Sequence, residues 1–73
     1  MTPKEFEAFV MFKLLDTDIP KDDIYIAADS NGDVFSFPDH PNLKASMWNG
    51  RYHEYLFKLP YPFPDWDCTV MKI

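Results

Sequence analysis

The chain has only two glycines, and each follows an asparagine: Asn31-Gly32 and Asn49-Gly50. Both pairs sit between runs rich in aromatic and β-branched or other apolar residues. Asn-Gly in that setting is the strongest short-range hairpin signal, because a type I′ turn needs positive φ at both central positions. Two hairpins nearly determine the architecture open to a chain of 73 residues. They say nothing about its chemistry.

Residues Ile24 to Ser30 and Asp33 to Phe37 are expected to pair across Asn31-Gly32. A two-residue loop sets Ser30 opposite Asp33, Ala28 opposite Phe35 and Ile26 opposite Phe37. That register gathers Ile24, Ile26, Ala28, Phe35 and Phe37 on one face and leaves Tyr25, Ala27, Asp29, Val34 and Ser36 on the other. The second hairpin is expected to pair Leu43 to Trp48 with Arg51 to about Phe57 across Asn49-Gly50, with Met47 opposite Tyr52 and Leu43 opposite Leu56. A short helix is the alternative for residues 51–59, since Tyr52, Tyr55, Leu56 and Leu59 also fit a helical spacing.

Ahead of the hairpins, Thr2-Pro3-Lys4-Glu5 reads as a helix start. Thr2 is the N-cap, Pro3 takes the first helical position, and Glu5 closes a capping box. The predicted helix runs from Pro3 to Leu15. Its apolar residues, Phe6, Ala8, Phe9, Val10, Met11, Phe12, Leu14 and Leu15, wrap most of its circumference instead of forming one stripe. One sheet cannot cover them all, so the C-terminal segment, a second copy or a partner must cover the rest.

The polar, proline-containing residues 16–23 read as a connection, and Pro38-Asp39-His40-Pro41-Asn42 as a loop that no central strand could contain. Pro60-Tyr61-Pro62-Phe63-Pro64, with a proline at every second position, favours an extended strap. Trp66, Cys68 and Val70 alternate in the closing segment, which reads as a last strand or fold-back. The fold class that follows is α+β: one domain over residues 1–73, with an N-terminal helix packed on a small antiparallel sheet of about four strands and an extended proline-rich C-terminal segment.

Composition narrows function mainly by exclusion. Twelve acidic against seven basic residues give a net charge of −5, which disfavours nucleic acid and anionic membrane surfaces as partners. No apolar run approaches the ~20 residues that span a bilayer. A single cysteine, Cys68, cannot form an internal disulfide and fits a reducing, cytoplasmic setting.

Asp29-Ser30-Asn31-Gly32-Asp33 matches the opening of a calcium-binding EF-hand loop, yet Val34 stands where the loop needs glycine and His40 where it needs a bidentate glutamate. His40, His53 and Cys68 lack the local spacing of a zinc site or of a nucleophile with its base. No enzyme activity, cofactor or metal is expected. The remaining candidate is an aromatic surface. If Leu43, Ala45, Met47, Tyr52 and Leu56 face the helix, then Trp48, Arg51, His53, Tyr55 and Phe57 share the opposite side, and Trp, Tyr and Arg dominate interface energetics; the alternative is that the proline-rich strap folds over this face and buries it.

Ile26-Ala27-Ala28-Asp29-Ser30-Asn31-Gly32-Asp33-Val34-Phe35, then Pro41 and Trp48, then Asp65-Trp66 with Thr69-Val70 just after, resembles small bacteriophage-encoded accessory proteins of unknown function. Those proteins combine a hairpin carrying an Asp-x-x-Gly turn with a nearby proline, a tryptophan and a closing Asp-Trp segment. The resemblance implies a phage or prophage setting, a bacterial host cytoplasm, and action by binding. The expected function is therefore a non-enzymatic protein–protein interaction module that modulates a bacterial host protein, for example a defence complex. Trp48, Arg51, His53 and Tyr55 are its expected contact residues. The alternatives are a homo-oligomeric structural protein that self-associates through Phe9, Met11 and Phe12, and an acidic mimic of DNA.

Overall fold

The helix begins where the sequence places it. In the computed structural model, which describes residues 1–15 and 24–73, α1 spans Pro3–Leu14. Its capping box is complete: Thr2 Oγ1 accepts from Glu5 N at 3.2 Å, and Glu5 Oε1 accepts from Thr2 N at 3.1 Å. These bonds hold the Glu5 carboxyl below its ordinary pKa, the Thr2 backbone bond contributing most. The expected connection over residues 16–23 lies outside the described residues.

Among the described residues six strands follow: β1 (Tyr25–Ala28), β2 (Asp33–Phe37), β3 (Asn42–Lys44), β4 (Met47–Asn49), β5 (Glu54–Lys58) and β6 (Val70–Lys72). They form a four-stranded antiparallel sheet in the order β5-β2-β1-β6 and a separate two-stranded ribbon, β3-β4. The fold is α+β, with the helix packed on the sheet as the sequence leads one to expect.

Both faces of the sheet are covered. On one, Phe6, Val10 and Leu14 of α1, spaced four residues apart on one stripe, meet Ile26, Ala28 and Val34 of the central strands, with Leu59 and Phe63 closing the cluster. On the other, Ala27 and Phe37 pack with Trp48 of the ribbon, bordered by Tyr25, Phe35, Val70 and Trp66. Ile26, Ala27 and Ala28 are consequently buried in succession, the mark of a strand enclosed on two sides.

The first hairpin forms, with a register one residue away from the expected one. Ala28 faces Val34, Ala27 faces Phe35 and Tyr25 faces Phe37. The cause is a three-residue loop. Gly32 N donates to Asp29 O and Asp29 N donates to Asp33 O, both at 2.9 Å. Asn31 Oδ1 accepts from Asp33 N at 3.0 Å, and Asn31 Nδ2 donates to Asp33 Oδ2 at 3.1 Å. Only Gly32, at φ +91°, takes the left-handed conformation, the pattern of a turn closed by a glycine bulge rather than type I′. A one-residue slip turns every side chain of a strand over. Val34 therefore joins the helix side, and Phe35 and Phe37 join Tyr25 and Ala27 on the other.

Asn49-Gly50 does not form a hairpin turn. The ribbon turns instead at Ala45-Ser46, where Ala45 has φ +48°. Gly50 is required for close approach: a Cβ there would lie 2.8 Å from Phe37 Cδ1. Residues 54–58 are a strand, as the first reading of residues 51–59 has it, but they pair with β2 at the sheet edge and not with the 43–48 segment. Leu56 is an extra residue in that pairing, between Val34↔Phe57 and Phe35↔Tyr55. Both Leu56 and Phe57 pack toward the helix-side cluster, whereas Leu43, Ala45, Met47 and Tyr52, expected to face the helix, are exposed.

The proline-rich strap runs beside the helix. Phe63 stacks on Phe6 with centroids 4.8 Å apart, and Pro62 O accepts from Met1 N at 2.9 Å. A short 3₁₀ turn, Trp66–Cys68, then leads into β6, which pairs with β1.

Candidate interaction surface

The four expected contact residues do not lie together on one open face. Trp48 is a core residue, 8 % exposed, because β4 turns it inward against the sheet while its neighbours Met47 and Asn49 point out. Its backbone N donates to Asp29 Oδ1 at 2.7 Å and its Nε1 donates to Trp66 O at 2.9 Å. The expectation of an exposed Trp48 is corrected: the reversed register of β2 creates a second apolar face, and the ribbon covers it with this tryptophan.

Arg51, His53 and Tyr55 are exposed; the first two lie on the connector between β4 and β5, and Tyr55 lies on β5 itself. The connector is anchored from below. Gly50 rests on the Phe37 ring, and the His53 ring meets Phe35 edge-on at 5.2 Å and lies 6.0 Å from Phe37. Tyr55 meets Phe35 from the β5 side at 5.7 Å. The half-buried Phe35 and the buried Phe37 thus support the exposed His53 and Tyr55 rings, leaving these two rings little freedom to lose on contact with a partner.

One residue of this surface was assigned by sequence to the wrong side. Tyr52 is 82 % exposed and sits at φ +53°. A bulky non-glycine residue in the left-handed region is a conformational outlier with a cost of about 1–3 kcal/mol. The Arg51 guanidinium lies 5.5 Å from the Tyr52 ring centroid, a cation–π distance. No sequence signal marks Tyr52, since the left-handed position follows from how Gly50 and His53 are anchored.

Asp29 links this surface to the first hairpin. Burial pushes its carboxyl up from the ordinary value; the Trp48 N–H opposes the shift, neighbouring Asp33 adds to it and His53 reduces it. Beside it, Ser30 N donates to Ser46 O at 3.1 Å, so the hairpin tip carries the ribbon's turn.

A second exposed apolar surface lies on the outer side of α1. Met11, Phe12 and Leu15 are 49 %, 65 % and 73 % exposed, and with Ala8 they follow an i, i+3, i+4, i+7 pattern along one stripe. Phe9 belongs elsewhere. It packs against Phe57 at 5.5 Å with Lys13 Nζ 5.5 Å from its ring centroid, so of the three residues expected to mediate self-association only Met11 and Phe12 are on the open face.

Among the described residues, no group of three or more His, Cys, Asp or Glu side chains could hold a metal ion. Cys68 is exposed, and its Sγ donates to Asp65 O at 3.4 Å. Among those residues, no helix is long and apolar enough to cross a membrane. No protein-family model, curated protein or solved structure matches the chain.

Proposed function

We propose that this chain is a non-enzymatic protein-binding module whose contact surface is the β4–β5 connector and the strand that follows it: Arg51, Tyr52, His53 and Tyr55. The observation that carries the reading is Tyr52, an almost fully exposed aromatic ring held at φ +53°. Strain that a fold tolerates without burying the side chain is most economically explained by what the side chain touches outside the fold. Tyr and Arg are also the residue types that concentrate binding energy, and here they stand on a rigid aromatic base. The setting in this reading is the one the sequence resemblance implies: a phage or prophage factor acting on a bacterial host protein in the host cytoplasm.

Capture from a bacterial lysate tests this with three baits: the unaltered chain, Tyr52→Ala and Arg51→Ala. Support is a protein retained by the first and lost by both variants while their unfolding temperatures stay within a few degrees. A protein retained equally by all three removes this surface from consideration.

A second reading, self-association, is favoured by the open stripe of Met11, Phe12 and Leu15. A net charge of −5 on every copy opposes it. Mass measurement in dilute solution separates the two, since a monomer leaves the stripe without a copy to cover it.

A further inference from the structure

We infer that the cavity beside the ribbon is a receptor for a phosphate group; it shares Arg51 with the protein-binding surface proposed above, and Lys44, which lies outside that surface, separates the two. The cavity has a volume of about 440 Å³ and is lined by Asp39, His40, Asn42, Lys44, Asn49 and Arg51, together with Gly50. Its size falls within the roughly 300–1,000 Å³ typical of small-molecule sites. Its chemistry runs against that of the rest of the molecule. In a chain of net charge −5 with only seven Lys and Arg and two His, this one cavity collects two of the seven and one of the two.

The fold explains the convergence. Asn42 and Asn49 are directly paired across the ribbon, and Lys44 is two residues along β3 on the same side as Asn42. Leu43 and Trp48 take the opposite side, and Trp48 is fixed into the core. The ribbon's outer face therefore carries the Asn42 and Asn49 amides and the Lys44 ammonium, with the Met47 side chain opposite Lys44. The loop before β3 sets His40 at the rim, with its ring edge-on to Tyr25 at 5.3 Å and its Nδ1 2.8 Å from Pro41 O. With Nδ1 donating to that carbonyl, Nε2 of the neutral ring is an acceptor, suited to a phosphate hydroxyl and not to a bare phosphate oxygen. Arg51 closes the cavity from the connector.

Among the described residues, neither Lys44 nor Arg51 has a carboxylate at ion-pair distance. Among the described residues, Asp39 is the only acid in the lining, so the lining they form is net positive. A planar guanidinium, an ammonium and two amides lining one space supply donors for several oxygens of a tetrahedral oxyanion, more than a single carboxylate can use. The phosphate could be the free ion or the end of a small phosphomonoester.

The test is a nuclear magnetic resonance titration of the full chain, in chloride buffer, with inorganic phosphate, glucose 6-phosphate and acetate in separate arms. The expected result is saturable shifts confined to residues 39–51 for both phosphates, with acetate binding at least about tenfold more weakly. Arg51→Gln and Lys44→Gln each remove a charge-assisted contact and should raise the phosphate Kd about tenfold. Lys4→Gln, an exposed helix residue with the same change in charge, should leave it unaltered. Tighter binding of the ester identifies an organic phosphate as the source, and equal or tighter binding of the ion identifies free phosphate; either ranking supports the site. Shifts that fail to saturate, acetate binding as tightly as phosphate, or equal weakening by Lys4→Gln would overturn the inference.

Discussion

Asp29 Oδ1 accepts a hydrogen bond from the backbone N of Trp48 at 2.7 Å, and this one contact joins the tip of the first hairpin to the ribbon that covers the far side of the sheet. Both residues are buried. An amide hydrogen left unpaired in such a place costs about 1–3 kcal/mol. Asp29→Ala should destabilise the chain by roughly that amount, and Asp29→Asn, which keeps an acceptor at Oδ1, by much less. Denaturant unfolding of the two variants checks the ranking; equal losses would mean that the bond matters less than the volume of the side chain.

The same residue gives a pH signature. Because burial raises the folded-state pKa of Asp29 above its unfolded value of 3.8, its contribution is fully present below that value and is lost as pH rises through the folded pKa. Asp29→Asn cannot ionise. Its stability relative to the unaltered chain should therefore rise as pH is raised from about 4 and level off once the carboxylate is fully charged. Thermal unfolding of both proteins over a pH series reads this directly, and a difference independent of pH would contradict a carboxyl whose burial outweighs its hydrogen bond from Trp48. Glu5 has the opposite sign: its lowered pKa gives stability above its ordinary value of 4.5 that is lost as pH falls through the folded pKa.

The two glycines should fail in different ways. Gly50→Ala drives a methyl group to 2.8 Å from the Phe37 ring, an overpacking worth about 1–3 kcal/mol. Gly32→Ala meets only ordinary contacts with Leu59 but must hold φ at +91°, which costs about 1–2 kcal/mol. A double-mutant cycle with Phe37→Leu tells them apart. Coupling is expected for Gly50 and absent for Gly32.

At the start of the helix, Thr2→Ala removes the side-chain acceptor for Glu5 N and should cost about 0.5–2 kcal/mol. Phe6→Ala, which empties a fully buried position stacked on Phe63, should cost about 3–5 kcal/mol. In a chain this short each kcal/mol lowers the unfolding temperature by about 4–8 °C. Calorimetry should thus show the second loss as much larger than the first.

What the sequence made legible was local. Thr2, Pro3 and Glu5 fixed the helix start because a capping box is satisfied within four residues of chain. Asp29 to Asp33 marked a reversal because Asn and Gly are the residues that turns require. The register was not legible. Val34, Phe35 and Phe37 are all apolar, and a sheet covered on both faces offers no polar side to tell one register from the next. Asn31's bond to Asp33 N, which lengthens the loop, decided it. The role of Gly50 was hidden for a related reason: a close-approach glycine is defined by a distant partner, here Phe37, and nothing next to Asn49 distinguishes it from a turn glycine. Those two misplacements account for the candidate site as well, since together they bury Trp48 and expose Tyr52.

The most direct test of Tyr52 as an outward-acting residue is the thermal unfolding of Tyr52→Gly. Glycine adopts the left-handed conformation without penalty, relieving about 1–2 kcal/mol, and gives back about 0.5–1 kcal/mol through the freedom it adds to the unfolded chain. With the ring 82 % exposed, little packing is lost. The expected result is an unfolding temperature equal to that of the unaltered chain or a few degrees higher. A fall equivalent to more than about 1 kcal/mol, some 4–8 °C, would show that the ring serves the fold and contradict its assignment to a partner.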